Sequence, residues 1–163
     1  VQPFWGLESG LSVSVSDSSV YEGLKDDLVR YATALVGPNV AADVVSTVVL
    51  RVISKRRLTD LKEPRPYLFR GVLNESRSVA SRQHREFAAS TREAVYDEPN
   101  ERPEIIEAVL GLPVRQRAAT YLVYWAGYTT AQTADLMGVG EGTVKRYLTL
   151  ARTSLKGVLH ASA

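Results

Sequence analysis

Five residues near the C-terminal end, Gly142, Thr143, Lys145, Arg146 and Thr149, combine small size, hydroxyls and positive charge within two helical turns. Residues of these types suit contact with a polyanion. Lys and Arg neutralise phosphates, and Arg can also pair bidentately with the edge of a guanine. Small side chains allow a backbone to come close. Such a set needs an element to present it, and the flanking sequence supplies one. Thr130 to Met137 reads as a short helix, Gly138-Val139-Gly140 as a tight turn, and Glu141 to about Val158 as a longer helix. Two helices joined by a glycine-containing three-residue turn make a helix-turn-helix, whose second helix enters the major groove of DNA. The start of that helix also favours an anion. The competing reading is an ordinary helical hairpin with a basic end.

Composition narrows the alternatives. The chain has 163 residues, 45% of them hydrophobic, which is enough for packed cores. There is no cysteine, and the two histidines, His84 and His160, are far apart. Thiolate or histidine metal sites are therefore not expected. No glycine-rich phosphate loop, nucleophile elbow or histidine-carboxylate spacing is present, so the sequence predicts no catalytic residue, no cofactor and no enzyme activity. The most apolar run, Val44 to Ile53, is too short for a bilayer and carries Ser46, Thr47 and Arg51. No signal peptide is evident, and a cytoplasmic location is expected.

The net charge of +2 hides strong segregation. Residues 1–50 carry 2 Lys and Arg against 6 Asp and Glu, and residues 51–85 carry 10 against 3. Residues 86–107 carry 2 against 7, and residues 108–163 carry 6 against 2. Two basic blocks separated by an acidic stretch point to two contacts with a polyanion, against the plainer reading of solvated faces.

The predicted fold is all-α, with two small helical domains joined by a flexible acidic linker. Residues 1–19 read as a mobile tail, 20–85 as the first domain, 86–103 as the linker and 104–163 as the second domain. Leu24, Leu28, Tyr31, Ala32 and Leu35 recur at helical spacing, and Gly37-Pro38 stops that helix. The next segment, 39–53, is rich in valine and by propensity alone could be strand. Its periodicity predicts a helix, with Asn39 as N-cap and Ala41, Val44, Val45, Val48, Val49, Val52 and Ile53 on one face. Asp43, Ser46, Thr47, Leu50 and Arg51 take the other face. A charged loop with two prolines leads to a third helix, about Tyr67 to Arg85. Leu112-Pro113 marks a break after the linker.

Three stretches of the second domain carry a family resemblance. They are Leu112-Pro-Val-Arg-Gln-Arg117, Gly127-Tyr-Thr-Thr-Ala-Gln-Thr-Ala-Asp-Leu-Met-Gly-Val-Gly-Glu-Gly-Thr-Val-Lys145 and Ala151-Arg-Thr-Ser-Leu155. They resemble the −35-binding domain of the extracytoplasmic-function group of sigma-70 sigma factors. LuxR-type response regulators carry a similar helix-turn-helix, and the N-terminal half separates the two. There, Ala41-Ala-Asp-Val-Val-Ser-Thr-Val-Val-Leu-Arg-Val-Ile53 and Glu63-Pro-Arg-Pro-Tyr-Leu-Phe-Arg-Gly-Val-Leu-Asn-Glu75 resemble the sigma domain that binds polymerase and the −10 element. The departures are Ala42, Ser46, Thr47, Val49, Ile53, Tyr67 and Leu150.

The resemblance implies an alternative sigma factor, in the style of small actinobacterial members. Its partners would be bacterial RNA polymerase core, through the β-prime clamp helices and the β flap, and promoter DNA. An anti-sigma factor is a further candidate partner, and no membrane contact is implied. Asp43, Ser46, Thr47, Leu50 and Arg51 would face polymerase. Arg65, Tyr67, Arg70, Asn74, Arg77 and Arg82 would hold the single-stranded −10 element, Tyr67 by stacking and Asn74 by hydrogen bonds to a base. Tyr67 has a competing reading as a core aromatic, and Asn74 as a satisfied polar residue. Arg115, Arg117, Thr143, Lys145, Arg146 and Thr149 would contact the −35 element. The competing function is a free-standing helix-turn-helix regulator, and a third is a degenerate sigma that only sequesters an antagonist.

Overall fold

The computed structural model describes residues 15–89 and 103–161. Helix α1 (Asp17–Val36) opens on a capping box. The Ser16 hydroxyl accepts from the Ser19 amide and the Ser19 hydroxyl accepts from the Ser16 amide, each at 3.1 Å. Two amides that the helix start would leave unpaired are satisfied this way. The helix therefore begins inside the segment expected to be a tail, while residues 1–14 lie outside the described residues.

Gly37, at φ 88°, turns the chain between α1 and α2 (Pro38–Ile53). That φ favours glycine. Pro38 supplies the first helical position, where its missing amide costs nothing. Asn39, expected as the N-cap, is thus already inside the helix, and Gly37 takes the capping position. Valine does not produce a strand here. Val44, Val45, Val48, Val49 and Val52 are buried on one face with Ala41, and burial of that stripe outweighs the modest helix propensity of valine. Ile53 departs from the expected face: it ends the helix and is 44% exposed.

A 3-10 turn, Leu58–Asp60, follows, with Leu58 buried. Helix α3 (Pro64–Ala89) is longer than expected at both ends. Pro64 and Pro66 both fall in its first turn, where amides have no partner inside the helix. Its last turn runs into the segment read as linker, and 90–102 lie outside the described residues.

Leu28, Tyr31 and Leu35 of α1 pack with Val45 and Val48 of α2 and with Leu68, Phe69 and Val72 of α3. Gly71 sets how closely α2 and α3 approach, since a Cβ there would meet Val48 Cγ1 at 2.6 Å. Valine in a helix has one strongly preferred rotamer, so Val48 yields with difficulty. Gly71→Ala is expected to destabilise the chain by about 1–3 kcal/mol. An unshifted urea midpoint would show that the contact relaxes freely.

The second unit comprises α4 (Pro103–Leu110), α5 (Val114–Thr120), a π-helical segment Tyr121–Trp125, α6 (Thr130–Met137) and α7 (Glu141–Ala161). Pro103, expected to close the linker, instead opens α4. The break at Leu112-Pro113 is present, with Leu112 buried. In the π segment the Ala126 amide donates to the Tyr121 carbonyl.

The fold is all-α over the described residues, in the expected order of helices. The two units are docked on each other and share one apolar core. Tyr31 stacks on Phe69 with ring centroids 5.0 Å apart, and Tyr121 of the second unit tilts against Tyr31 at 5.9 Å. Burial pushes the Tyr31 hydroxyl far above the usual tyrosine range. Among the described residues, no helix is long and apolar enough to cross a membrane.

Candidate nucleic-acid interface

The helix-turn-helix is built by local rules. Thr129 caps α6 through a second capping box with Gln132, at 3.1 Å from the Gln132 amide and 2.9 Å from the Thr129 amide to Gln132 Oε1. Gly138, at φ 68°, ends α6 in the left-handed conformation that only glycine adopts without cost. Val144, Leu148 and Ala151 of α7 are buried. That orientation turns Lys145, Arg146 and Thr149 to solvent and leaves Thr143 half-buried. Leu150 joins them on the open face at 41% exposure.

Glu141 opens α7 and had not been singled out in the sequence. Its carboxylate accepts from the Thr130 hydroxyl at 2.7 Å and pairs with Lys145 at 3.1 Å. These two contacts hold its pKa below the usual glutamate value. Thr149 donates to the Lys145 carbonyl, and that bond must be exchanged if the hydroxyl is to reach DNA.

The second basic surface lies between α2 and α3. A groove of about 360 Å³ is lined by Arg51, Lys55, Arg56, Tyr67, Arg70, Gly71 and Asn74 among others. Tyr67 is 42% exposed, which sets aside its reading as a core aromatic. The Arg56 guanidinium lies over its ring, 5.9 Å from the centroid. Asn74 is exposed on the same wall. One aromatic face, one amide and several cations therefore converge on a single cleft. Arg77 and Arg82 are exposed further along α3.

The polymerase candidates Asp43, Ser46, Thr47, Leu50 and Arg51 are all exposed along α2. Arg51 also turns toward α3 and pairs with Glu75 at 3.0 Å, while the other oxygen of Glu75 lies 3.8 Å from Arg82. One carboxylate thus ties the outer face of α2 to the basic end of α3.

Three arginines expected on DNA are engaged within the protein. Arg65 donates to Asp27 at 2.8 Å and to the Tyr128 hydroxyl at 2.9 Å. Those partners raise its pKa against the opposing cost of burial. Arg70 Nε donates to the Asp135 carbonyl at the end of α6, 2.9 Å away. A cation there complements the helix dipole. Arg117 donates to the carbonyls of Leu110 at 2.6 Å and Leu112 at 2.8 Å, and also to that of Leu35 in the first unit. In this arrangement Arg117 serves the fold rather than a phosphate. Arg115 remains exposed, with Nη1 3.5 Å from the Tyr147 hydroxyl.

Sequence reasoning missed Asp17, Asp27, Glu75 and Tyr128. Their partners lie 42, 38, 24 and 63 residues away, so no local spacing could have shown them.

Residues 102–155 match the family model for sigma-70 region 4. The chain is 48% identical over 52 residues to the ECF RNA polymerase sigma factor SigM of Mycobacterium tuberculosis, in strains Erdman and H37Rv. That match covers 32% of this chain and 26% of SigM. In fold, the chain is similar to the sigma factor RpoE of Bartonella quintana, solved in complex with the anti-sigma factor NepR. The TM-score is 0.67 at 21% identity, over 90% of this chain and 98% of that one. The helix-turn-helix unit thus matches sigma-70 region 4, and the chain shares the fold of a sigma factor along most of its length.

Proposed function

We propose that the chain is an alternative sigma factor that binds RNA polymerase core in the cytoplasm, directs it to particular promoters and helps to open the −10 element. The observation that carries this reading is the presence of two separate basic surfaces of different shape on one chain. The cleft between α2 and α3 joins Tyr67, Asn74 and a ring of cations. Such a combination suits an unpaired base, which offers a face to stack on and an edge to bond. The open face of α7 offers Lys145, Arg146 and Thr149, which suits the major groove of a duplex. A free-standing regulator needs only the second surface. The exposed face of α2, with Asp43, Ser46, Thr47, Leu50 and Arg51, is the surface we assign to the polymerase clamp. We assign no chemical step to the protein.

The docked arrangement is then a resting form. Elements named for positions −10 and −35 lie roughly 25 base pairs apart, or roughly 85 Å along B-form DNA. A compact chain of this length has a radius of gyration of about 15 Å. The two units must separate to reach both elements.

Run-off transcription with bacterial core polymerase and a promoter library tests the reading. Transcripts that depend on this protein and share a two-element pattern are expected. Specific duplex binding without co-elution on core would favour the free-standing regulator, and co-elution without transcripts a sequestering protein.

A further inference from the structure

We infer that Asp17, in the first turn of α1, is the positioning residue for the loop that borders the cleft assigned to the −10 element. The inference rests on the sigma reading above. The loop joining α2 to α3 is short and strongly charged, with Lys55, Arg56, Arg57 and Lys62 all exposed. Arg56 lines the cleft and lies over Tyr67, so the path of the loop sets the shape of that cleft. Against Asp60 and Glu63 the four cations leave the loop a net charge of +2, and their repulsion favours an outward path. Leu58, buried in the core, and half-buried Leu61 hold it from below, but apolar contacts are non-directional and leave the turn between them without a fixed hydrogen-bonding partner.

Asp17 supplies a directional, polar pin. Its Oδ1 accepts from the Thr59 amide at 3.0 Å and from the Thr59 hydroxyl at 3.2 Å. Its Oδ2 lies 4.0 Å from Arg57 Nε. One carboxylate therefore fixes the backbone of the 3-10 turn in two hydrogen bonds and offsets part of the loop's charge. The anchor is itself rigid, because the Ser16–Ser19 capping box sets the first turn of α1. A hydrogen bond to a charged acceptor is stronger than one to a neutral acceptor, so the aspartate holds the loop more firmly than an amide would. Asp17 does not line the cleft. It acts on bases through the loop.

The test compares holoenzymes carrying the unaltered chain, Asp17→Ala, Asp17→Asn or Thr59→Val on one promoter, its −10 base substitutions and its −35 base substitutions. Thermal melts of each chain are recorded alongside. Asp17→Ala is expected to shrink the penalty for −10 substitutions roughly ten-fold, from the loss of two charge-assisted hydrogen bonds. The penalty for −35 substitutions should not change. Asp17→Asn keeps an acceptor for Thr59 and should restore most of the −10 discrimination. Thr59→Val, which keeps the amide donor, should lose less than Asp17→Ala. Equal loss of both penalties, or unchanged −10 discrimination in Asp17→Ala, overturns the inference. If Asp17→Ala does not fold, unchanged −10 discrimination in both milder variants overturns it as well. If even the unaltered chain gives no promoter-dependent transcript, the sigma reading fails and this inference falls with it.

Discussion

Linking Asp27→Cys and Tyr128→Cys with a short bismaleimide is expected to reduce run-off transcription to the level of core alone. The unlinked double variant should transcribe at least as well as the parent. The chain has no cysteine of its own, so the bridge forms only between the introduced pair. Both positions meet at Arg65, which donates to Asp27 and to the Tyr128 hydroxyl across the junction of the two units. That junction is substantial. Tyr31, Phe69 and Leu122 are buried, and separating the units exposes apolar surface at about 2 kcal/mol for each side chain uncovered. On the proposed sigma reading, polymerase and promoter together supply the cost of opening. A covalent bridge raises that cost beyond their reach. Removing the polar latch has the opposite and smaller effect. Of the two bonds only that from Arg65 to the Tyr128 hydroxyl crosses the junction, and one such bond contributes about 1 kcal/mol. Full activity of the bridged chain would show that the docked form itself initiates, and would end the resting-form reading.

Arg117→Ala is expected to lower the melting temperature by about 6–12 °C, from a loss of about 3 kcal/mol. The guanidinium bonds three backbone carbonyls, at Leu35, Leu110 and Leu112. Truncation leaves part-buried acceptors short of donors, and the cost of an unpaired acceptor exceeds the net gain from a typical bond. Arg117→Lys should not rescue, because one ammonium cannot span three acceptors held in different directions. A phosphate-contacting arginine behaves differently. Its loss would leave the melt unchanged and lower the salt dependence of DNA binding by about one unit of slope. Melting curves and a salt titration therefore separate the two roles. The same titration gives the expected DNA effect for Lys145, whose substitution by alanine should move the slope and not the melt.

Much of the molecule was legible from local rules. The valine stripe of α2 betrayed its helix because buried positions repeat every three or four residues, whatever the propensity of valine. The helix-turn-helix was legible because Gly138 must take a positive φ and the two flanking helices keep their own periodicity. Exposure of Asp43, Ser46, Thr47, Leu50 and Arg51 followed from that same stripe, since a helix that buries one face presents the other. Boundaries were less legible. Proline is allowed in a first turn, so Pro64 and Pro103 gave no sign of whether a helix or a loop begins there.

Side-chain destinies across long separations were not legible at all. The family resemblance assigned Arg65, Arg70 and Arg117 to DNA, as residue type and spacing assigned Lys145 and Arg146. Only the docking of the two units decided that the first three meet Tyr128, Asp135 and Leu35 while the last two remain open to solvent. The reason is physical. Periodicity reports which face of one helix avoids water, whereas the partner of a long cation depends on where a second helix, tens of residues away, places a carboxylate or a helix end. The sequence by itself determined the all-α class, the order of helices and the presence of two basic surfaces. The tertiary structure alone decided that the surfaces belong to docked units, and which arginines hold that docking together.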